Sequence, residues 1–181
     1  TPINEKFFSE TRPVFIMKKN TEQNHIAIAF RTTNIYCDDR LCLDLLDIIL
    51  AGNMSSRLFI ALREKEDSQV TYNVAIDNSQ YASSGIFCIQ TSCGNGGDGT
   101  NNNTVKAITI IISELNKLFN ESDSITDNEL KKAKKFLKGK LKLAYENPLG
   151  IASHNGFDVT MNRKYLIPIR QQYRLLYKDI T

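Results

Sequence analysis

Leu50–Val74 reads L-A-G-N-M-S-S-R-L-F-I-A-L-R-E-K-E-D-S-Q-V-T-Y-N-V, and its punctuation decides the fold. A long amphipathic segment stops at Gly52. Ser55 or Ser56 then offers an N-cap oxygen to a short helix that buries Leu58, Phe59 and Leu62 and fades at Glu64–Ser68. At Val70 the chain enters an alternating strand, with Val70, Tyr72, Val74 and Ile76 on one face. A helix, a link and a strand in so short a span can hold the arginine at the helix end, Arg63, near the strand tyrosine, Tyr72.

Upstream, Thr1–Thr11 reads as a lead-in and Pro13–Lys18 as a short apolar strand. His25–Arg31 alternates, with Ile26, Ile28 and Phe30 on one face, which predicts a half-buried strand. Asp38 and Asp39 suit a helix N-terminus. The helix they open carries Leu41, Cys42, Leu45, Leu46 and Ile49 as its buried stripe, and Gly52 ends it. Downstream, Gly85–Cys93 is a second strand paired with the first through a connection at Asn78–Ser84. The polar loop Gly94–Asn103 lacks the Gly-Lys-Ser/Thr ending of a phosphate-binding loop. Thr104–Phe119 is an amphipathic helix carrying Val105, Ile108, Ile111, Ile112, Leu115, Leu118 and Phe119. Thr126-Asp127-Asn128-Glu129 is a capping box, and the helix it opens runs to about Tyr145. Further helices are expected at Leu149–Met161 and Tyr165–Thr181. The order β-β-α-α-β-β-α-α-α-α predicts an α+β fold, an antiparallel sheet with helices packed on one face.

The chain of 181 residues suffices for one domain with a sizeable core, after a lead-in over residues 1–12. Its 41% hydrophobic and 24% charged content is that of an ordinary globular protein. Net charge is only +3, from 23 basic and 20 acidic residues. The basic run Lys131–Lys142 interleaves Ala133, Phe136, Leu137 and Leu141 at helical spacing, so its lysines read as a solvated helix face. No aromatic stacking surface accompanies that face, so no nucleic-acid partner is expected, and a stand-alone polyanion-binding module is the weakest reading. No apolar run approaches the ~20 residues of a membrane span. The N-terminus carries neither a signal peptide nor an initiator methionine, which suggests a piece of something longer. The expected setting is soluble, intracellular or organellar rather than secreted. The four cysteines, at 37, 42, 88 and 93, form no C-x-x-C pair and read as reduced thiols. Cys42 and Cys88 are expected in the core, and Cys93 exposed at a strand end.

Chemistry has few places to sit. His25 and His154 are the only histidines, and neither has a partner at metal-ligand spacing. No G-x-S-x-G or other nucleophile signature occurs. Arg63 and Tyr72 remain. Each also has a plain structural reading: Tyr72 as core with a satisfied hydroxyl, Arg63 as a surface partner of Glu64 or Asp67. Arg57 is a further basic group and reads as structural.

Gly52-Asn53-Met54-Ser55-Ser56-Arg57-Leu58-Phe59, then Leu62-Arg63-Glu64-Lys65, then Tyr72, resembles the non-zinc domain of the pitrilysin/insulinase family of metallopeptidases, which includes the mitochondrial processing peptidases. Gln23–Arg31 is similar to the family's first core strand, and Leu45–Leu50 to the helix that leads into its glycine-methionine turn. Ser84-Gly85-Ile86-Phe87 is similar to its next hairpin strand, and Ile125–Gly139 to its long-helix signature. The resemblance covers nearly the whole chain. It implies residues 13–181 as one accessory domain, in duplicated halves enclosing a chamber. It places zinc, bound by H-x-x-E-H and a distant Glu, in a preceding domain, with no cofactor in this chain. It implies zinc-activated water attacking a peptide carbonyl, a Glu acting as general base. It assigns Arg63 and Tyr72 to the substrate backbone and the developing oxyanion, in trans to the zinc half. The implied partners are a peptide substrate and a zinc-binding domain of the same chain or of a partner half, in a homodimer or a duplicated chain. This domain alone is expected to be inactive. The alternative is a non-catalytic scaffold or substrate-binding subunit of a processing-peptidase-like complex. Three features depart from the family pattern. The link Glu64–Thr71 is longer than usual, Gln69-Val70 replaces Gly-Leu, and the turn's glycines thin to Gly52-Asn53. The longer link leaves open where Tyr72 stands relative to Arg63.

Overall fold

The computed structural model describes residues 17, 22–64, 70–94, 102–120, 124–144 and 146–161. The expected strand Pro13–Lys18, apart from Met17, and the expected helix Tyr165–Thr181 lie outside the described residues.

Three strands form one sheet in the order β1-β3-β2, both pairings antiparallel. They are β1 (Gln23–Thr32), β2 (Thr71–Gln80) and β3 (Gly85–Gly94). Cross-strand rows follow from the register. Ile26, Thr91 and Val74 line one face with Ile28, Ile89 and Ile76. The opposite face carries His25, Ser92 and Asn73, then Ala27, Gln90 and Ala75. The first face is branched and apolar and takes the helices; the second is small and polar and carries no helix among the described residues. The sheet class is therefore as expected, an α+β fold with helices on one face.

Helix α1 (Arg40–Ala51) has two working faces. Leu50 is fully buried in the main core with Ile89, Leu58 and Leu62, and Leu43 and Leu46 pack against it. Leu45, Ile48 and Ile49 form a second cluster with Ala133 of α4 (Asp127–Ala144), flanked by Leu130 and Leu137. α1 is thus sandwiched between the sheet and α4. Cys42 lies in the first turn, to the side of both faces, and is exposed, contrary to the core position expected. Gly52 follows with φ −70° and ψ −17°, a right-handed conformation, so it does not serve as a left-handed cap. Its need is space: a Cβ there would stand 2.6 Å from Ile48 Cα.

The remaining helices are α2 (Arg57–Phe59), α3 (Asn102–Lys117) and α5 (Pro148–Thr160). Ser56 is the N-cap of α2 but makes no side-chain capping bond; its hydroxyl donates instead to the Asn53 carbonyl at 2.6 Å. α3 buries Ala107 and Ile111 on the main core, with Ile110, Leu115 and Leu118 packed beside them. Val105 (60% exposed) falls outside that stripe, because the described sheet and α2 cover only one side of this apolar helix, and Phe119 (86% exposed) lies beyond its last residue, Lys117. Cys93, expected at an exposed strand end, is fully buried. It is on the helix-covered face of the central strand, and Thr104 Oγ1 of α3 approaches its Sγ to 3.7 Å.

Candidate functional site

The corner built by Leu50–Val74 contains two local irregularities. α2 runs directly into a π-helical turn, Ile60–Glu64. Leu58 and Leu62 anchor this segment with no exposed surface, while Arg63 stands out to solvent. On the strand side the β2–β3 register slips between Thr71, opposite Cys93, and Asn73, opposite Ser92. Tyr72 is the extra residue, a β-bulge. Period-two alternation would have put Tyr72 on the face of Val74 and Ile76. The bulge breaks that alternation, and Tyr72 is 64% exposed rather than core. Bulges and π-turns both recur next to functional sites, because each re-aims a side chain that regular structure would bury.

These two devices meet. The Val70 N–H donates to the Leu62 carbonyl at 3.2 Å, so the long link is spliced between two residues already bonded to each other. Its added length therefore does not separate the pair. Arg63 Nη1 donates to the Tyr72 carbonyl at 3.5 Å, the long limit of a hydrogen bond. Arg63 Cζ also stands 5.2 Å from the centroid of the Phe59 ring, a cation–π contact. The Tyr72 phenol lies across Gly94, where a Cβ would stand 3.8 Å from Oη. Among the described residues neither the Tyr72 hydroxyl nor the remaining Arg63 N–H groups have a hydrogen-bond acceptor. The corner therefore presents two kinds of donor, a phenol O–H and a guanidinium fork, and could hold carbonyl or oxyanion oxygens.

Arg57 does something different. Its Nε and Nη2 donate to the two carboxylate oxygens of Glu129 at 2.7 and 2.8 Å, and Nη2 also donates to the Ser124 carbonyl. The expected capping box forms at the same carboxylate. Thr126 N–H and Oγ1 both donate to Glu129 Oε2 at 2.9 Å, and Glu129 N–H donates to Thr126 Oγ1 at 3.3 Å. The Arg57 guanidinium, helped by Thr126, holds the Glu129 carboxyl down at about 2 against the pull of burial. Arg57 is thus a clamp between α2 and α4, as its structural reading predicted.

Sequence reading missed Phe59 as the support of Arg63. The signal was present, because residues four apart on a helix face each other. It also missed the bulge, which no residue type near Tyr72 announces. His25 sits on the open sheet face and His154 in α5. Among the described residues no three His, Cys, Asp or Glu groups gather to hold a metal ion. These residues do not fit a zinc site. No helix among them is long and apolar enough to cross a membrane.

An antiparallel sheet with its helices on one face defines the class, an α+β domain. Over residues 2–137 the chain matches the family described as the Peptidase M16 inactive domain, and it belongs to that family. It is 33% identical over 139 residues to the "Uncharacterized zinc protease YmxG" of Bacillus subtilis, covering 77% of this chain and 32% of that protein. Its fold is similar to that of a protease from Helicobacter pylori (TM-score 0.72, 19% identity, covering 91% of this chain and 37% of the other). It is also similar to the inactive peptidase domain of a putative zinc protease from Bordetella parapertussis (TM-score 0.68, 17% identity, covering 92% of this chain and 84% of the other). The chain spans about a third of the length of the curated relatives it matches.

Proposed function

We propose that residues 13–181, after a lead-in over residues 1–12, are the accessory domain of a longer zinc metallopeptidase, and that Arg63 and Tyr72 hold its peptide substrate. The zinc belongs to a preceding domain or to a partner half, in a fused or dimeric parent. The observation that carries this reading is the meeting of the π-turn and the β-bulge. Two separate departures from regular structure put a guanidinium with no acidic partner among the described residues, and a phenol, at one exposed corner. Both are donors, which suits peptide carbonyl oxygens and the negative charge that grows on one of them during hydrolysis. Their contribution is electrostatic and positional; neither group bonds covalently to the substrate.

The test uses the full-length parent, loaded with metal, on an unstructured peptide. Arg63→Ala and Tyr72→Phe are each expected to lower kcat/KM by about 10- to 100-fold, the scale of losing one or part of one oxyanion donor. Thermal unfolding should barely change, since both side chains are exposed. Unchanged cleavage in both variants would remove the pair from the mechanism. A second reading, a non-catalytic scaffold or peptide-binding subunit, draws on the absence of a metal-ligand group among the described residues. A parent that binds the peptide in an Arg63-dependent way without cleaving it would favour the scaffold.

A further inference from the structure

We propose that Phe59 is the positioning residue for Arg63: its ring orients the guanidinium toward substrate without consuming the charge. This rests on the reading of Arg63 as a substrate contact.

An exposed arginine has a long side chain with many rotamers, and the usual device for fixing one is a carboxylate. Arg57 shows that device in this chain, with both Glu129 oxygens occupied by its fork. A carboxylate also neutralises the arginine and uses up its donors. Arg63 is held otherwise. Among the described residues it has no acidic partner within ion-pair distance. It has a ring face at 5.2 Å on one side and the Tyr72 carbonyl at 3.5 Å on the other. An aromatic face attracts the cation through its quadrupole and accepts no N–H bond in the guanidinium plane. The fork therefore keeps its full positive charge and most of its donors.

Phe59 is itself well placed to be rigid. It is half-buried, and its neighbour Leu58 has no exposed surface. It lies at the end of α2, where the π-helical turn begins at Ile60. That turn carries Arg63, so Phe59 and Arg63 stand on one continuous helical segment. The Val70–Leu62 bond ties the same unit to β2 and hence to Tyr72. Loss of the ring would leave Arg63 present and charged but spread over many rotamers.

The experiment compares Phe59→Leu, Phe59→Tyr, Arg63→Ala and the Phe59→Leu/Arg63→Ala double variant in the full-length, metal-loaded parent, measuring kcat and KM separately on one quenched peptide. Phe59→Leu is expected to lower kcat about fivefold, the rate equivalent of an exposed cation–π contact, with KM little changed. Phe59→Tyr keeps a ring face and should restore the rate. In the Arg63→Ala background Phe59→Leu should add nothing, whereas a merely structural role would add its loss in either background. Independently of turnover, the Arg63 Nε–H resonance should be ring-current shifted in the wild type and lose that shift in Phe59→Leu. If Arg63→Ala is impaired but Phe59→Leu retains full kcat, the positioning role is wrong and the substrate-contact reading stands. If Arg63→Ala neither slows cleavage nor weakens peptide binding, the substrate-contact reading fails and the positioning role goes with it. An Arg63 resonance unmoved by Phe59→Leu overturns the contact itself.

Discussion

Arg57 and Glu129 are 72 residues apart in sequence, yet they form the best-connected ion pair among the described residues. Its acid response has a definite sign. The Glu129 carboxyl sits at about 2 in the folded chain against an ordinary 4.5. The lowered value means that the pair's stabilisation is fully present above pH 4.5 and is lost as pH falls from there toward 2. Arg57→Ala is therefore expected to cost about 1–2 kcal/mol at pH 7, a charge-assisted pair discounted for its partial exposure. The difference from wild type should shrink at pH 3, and urea midpoints at the two pH values check it. The Thr126/Glu129 half of this arrangement was legible in the sequence, because a capping box is a spacing rule that needs no tertiary information. The Arg57 half was not, since nothing in local sequence says which helix another helix will meet.

At the scale of elements, what sequence conveyed best was periodicity, and what it conveyed worst was interruption. β1 lies within two residues of the alternating run His25–Arg31, because a half-buried strand must alternate, and β3 within one residue of the strand expected at Gly85–Cys93. The same rule misplaced Tyr72, since the residue inserted at the bulge leaves the alternation that Val74 and Ile76 keep. α3 misled differently: its apolar sequence is wider than the face its described neighbours cover, so Val105 and Ile112 read as buried and are exposed. Gly85 illustrates a requirement the sequence hints at without explaining. A Cβ there would collide with the Thr33 carbonyl and the Thr32 hydroxyl across the β1–β3 pairing. Because the obstacle includes backbone, Gly85→Ala should force the end of the sheet apart. It is expected to lower stability by about 2–3 kcal/mol, near the upper end of overpacking costs, read as a drop in thermal midpoint.

Across the whole molecule, the helix α1 joins two clusters that would otherwise be separate, one on the sheet and one on α4. Asp47 lies on α1 near Lys140 of α4, and burial pushes its carboxyl up to about 6, with Asp44 adding to the rise and Lys140 opposing it. For a raised carboxylate the sign reverses: its stabilisation is complete below 3.8 and is lost as pH rises through 6. Asp47→Asn should therefore stabilise the chain at pH 7, by about 1 kcal/mol after allowing for partial solvation, and should give no gain at pH 3.5. Scanning calorimetry at the two pH values decides it. Family membership was legible because the strings at Gly52–Phe59 and Leu62–Lys65 are specific; the geometry of the Arg63/Tyr72 corner was not, because it depends on a bulge and a backbone bond across the link. That bulge has a second consequence, for solubility. β2 is one of the two outer strands of the described sheet, and a long, flat outer strand is a template on which other chains can stack. An inserted residue at Tyr72 coils the ribbon and spoils the straight run of N–H and C=O groups that stacking needs. The irregularity that turns a tyrosine outward thus also guards the β2 edge against fibrous self-association.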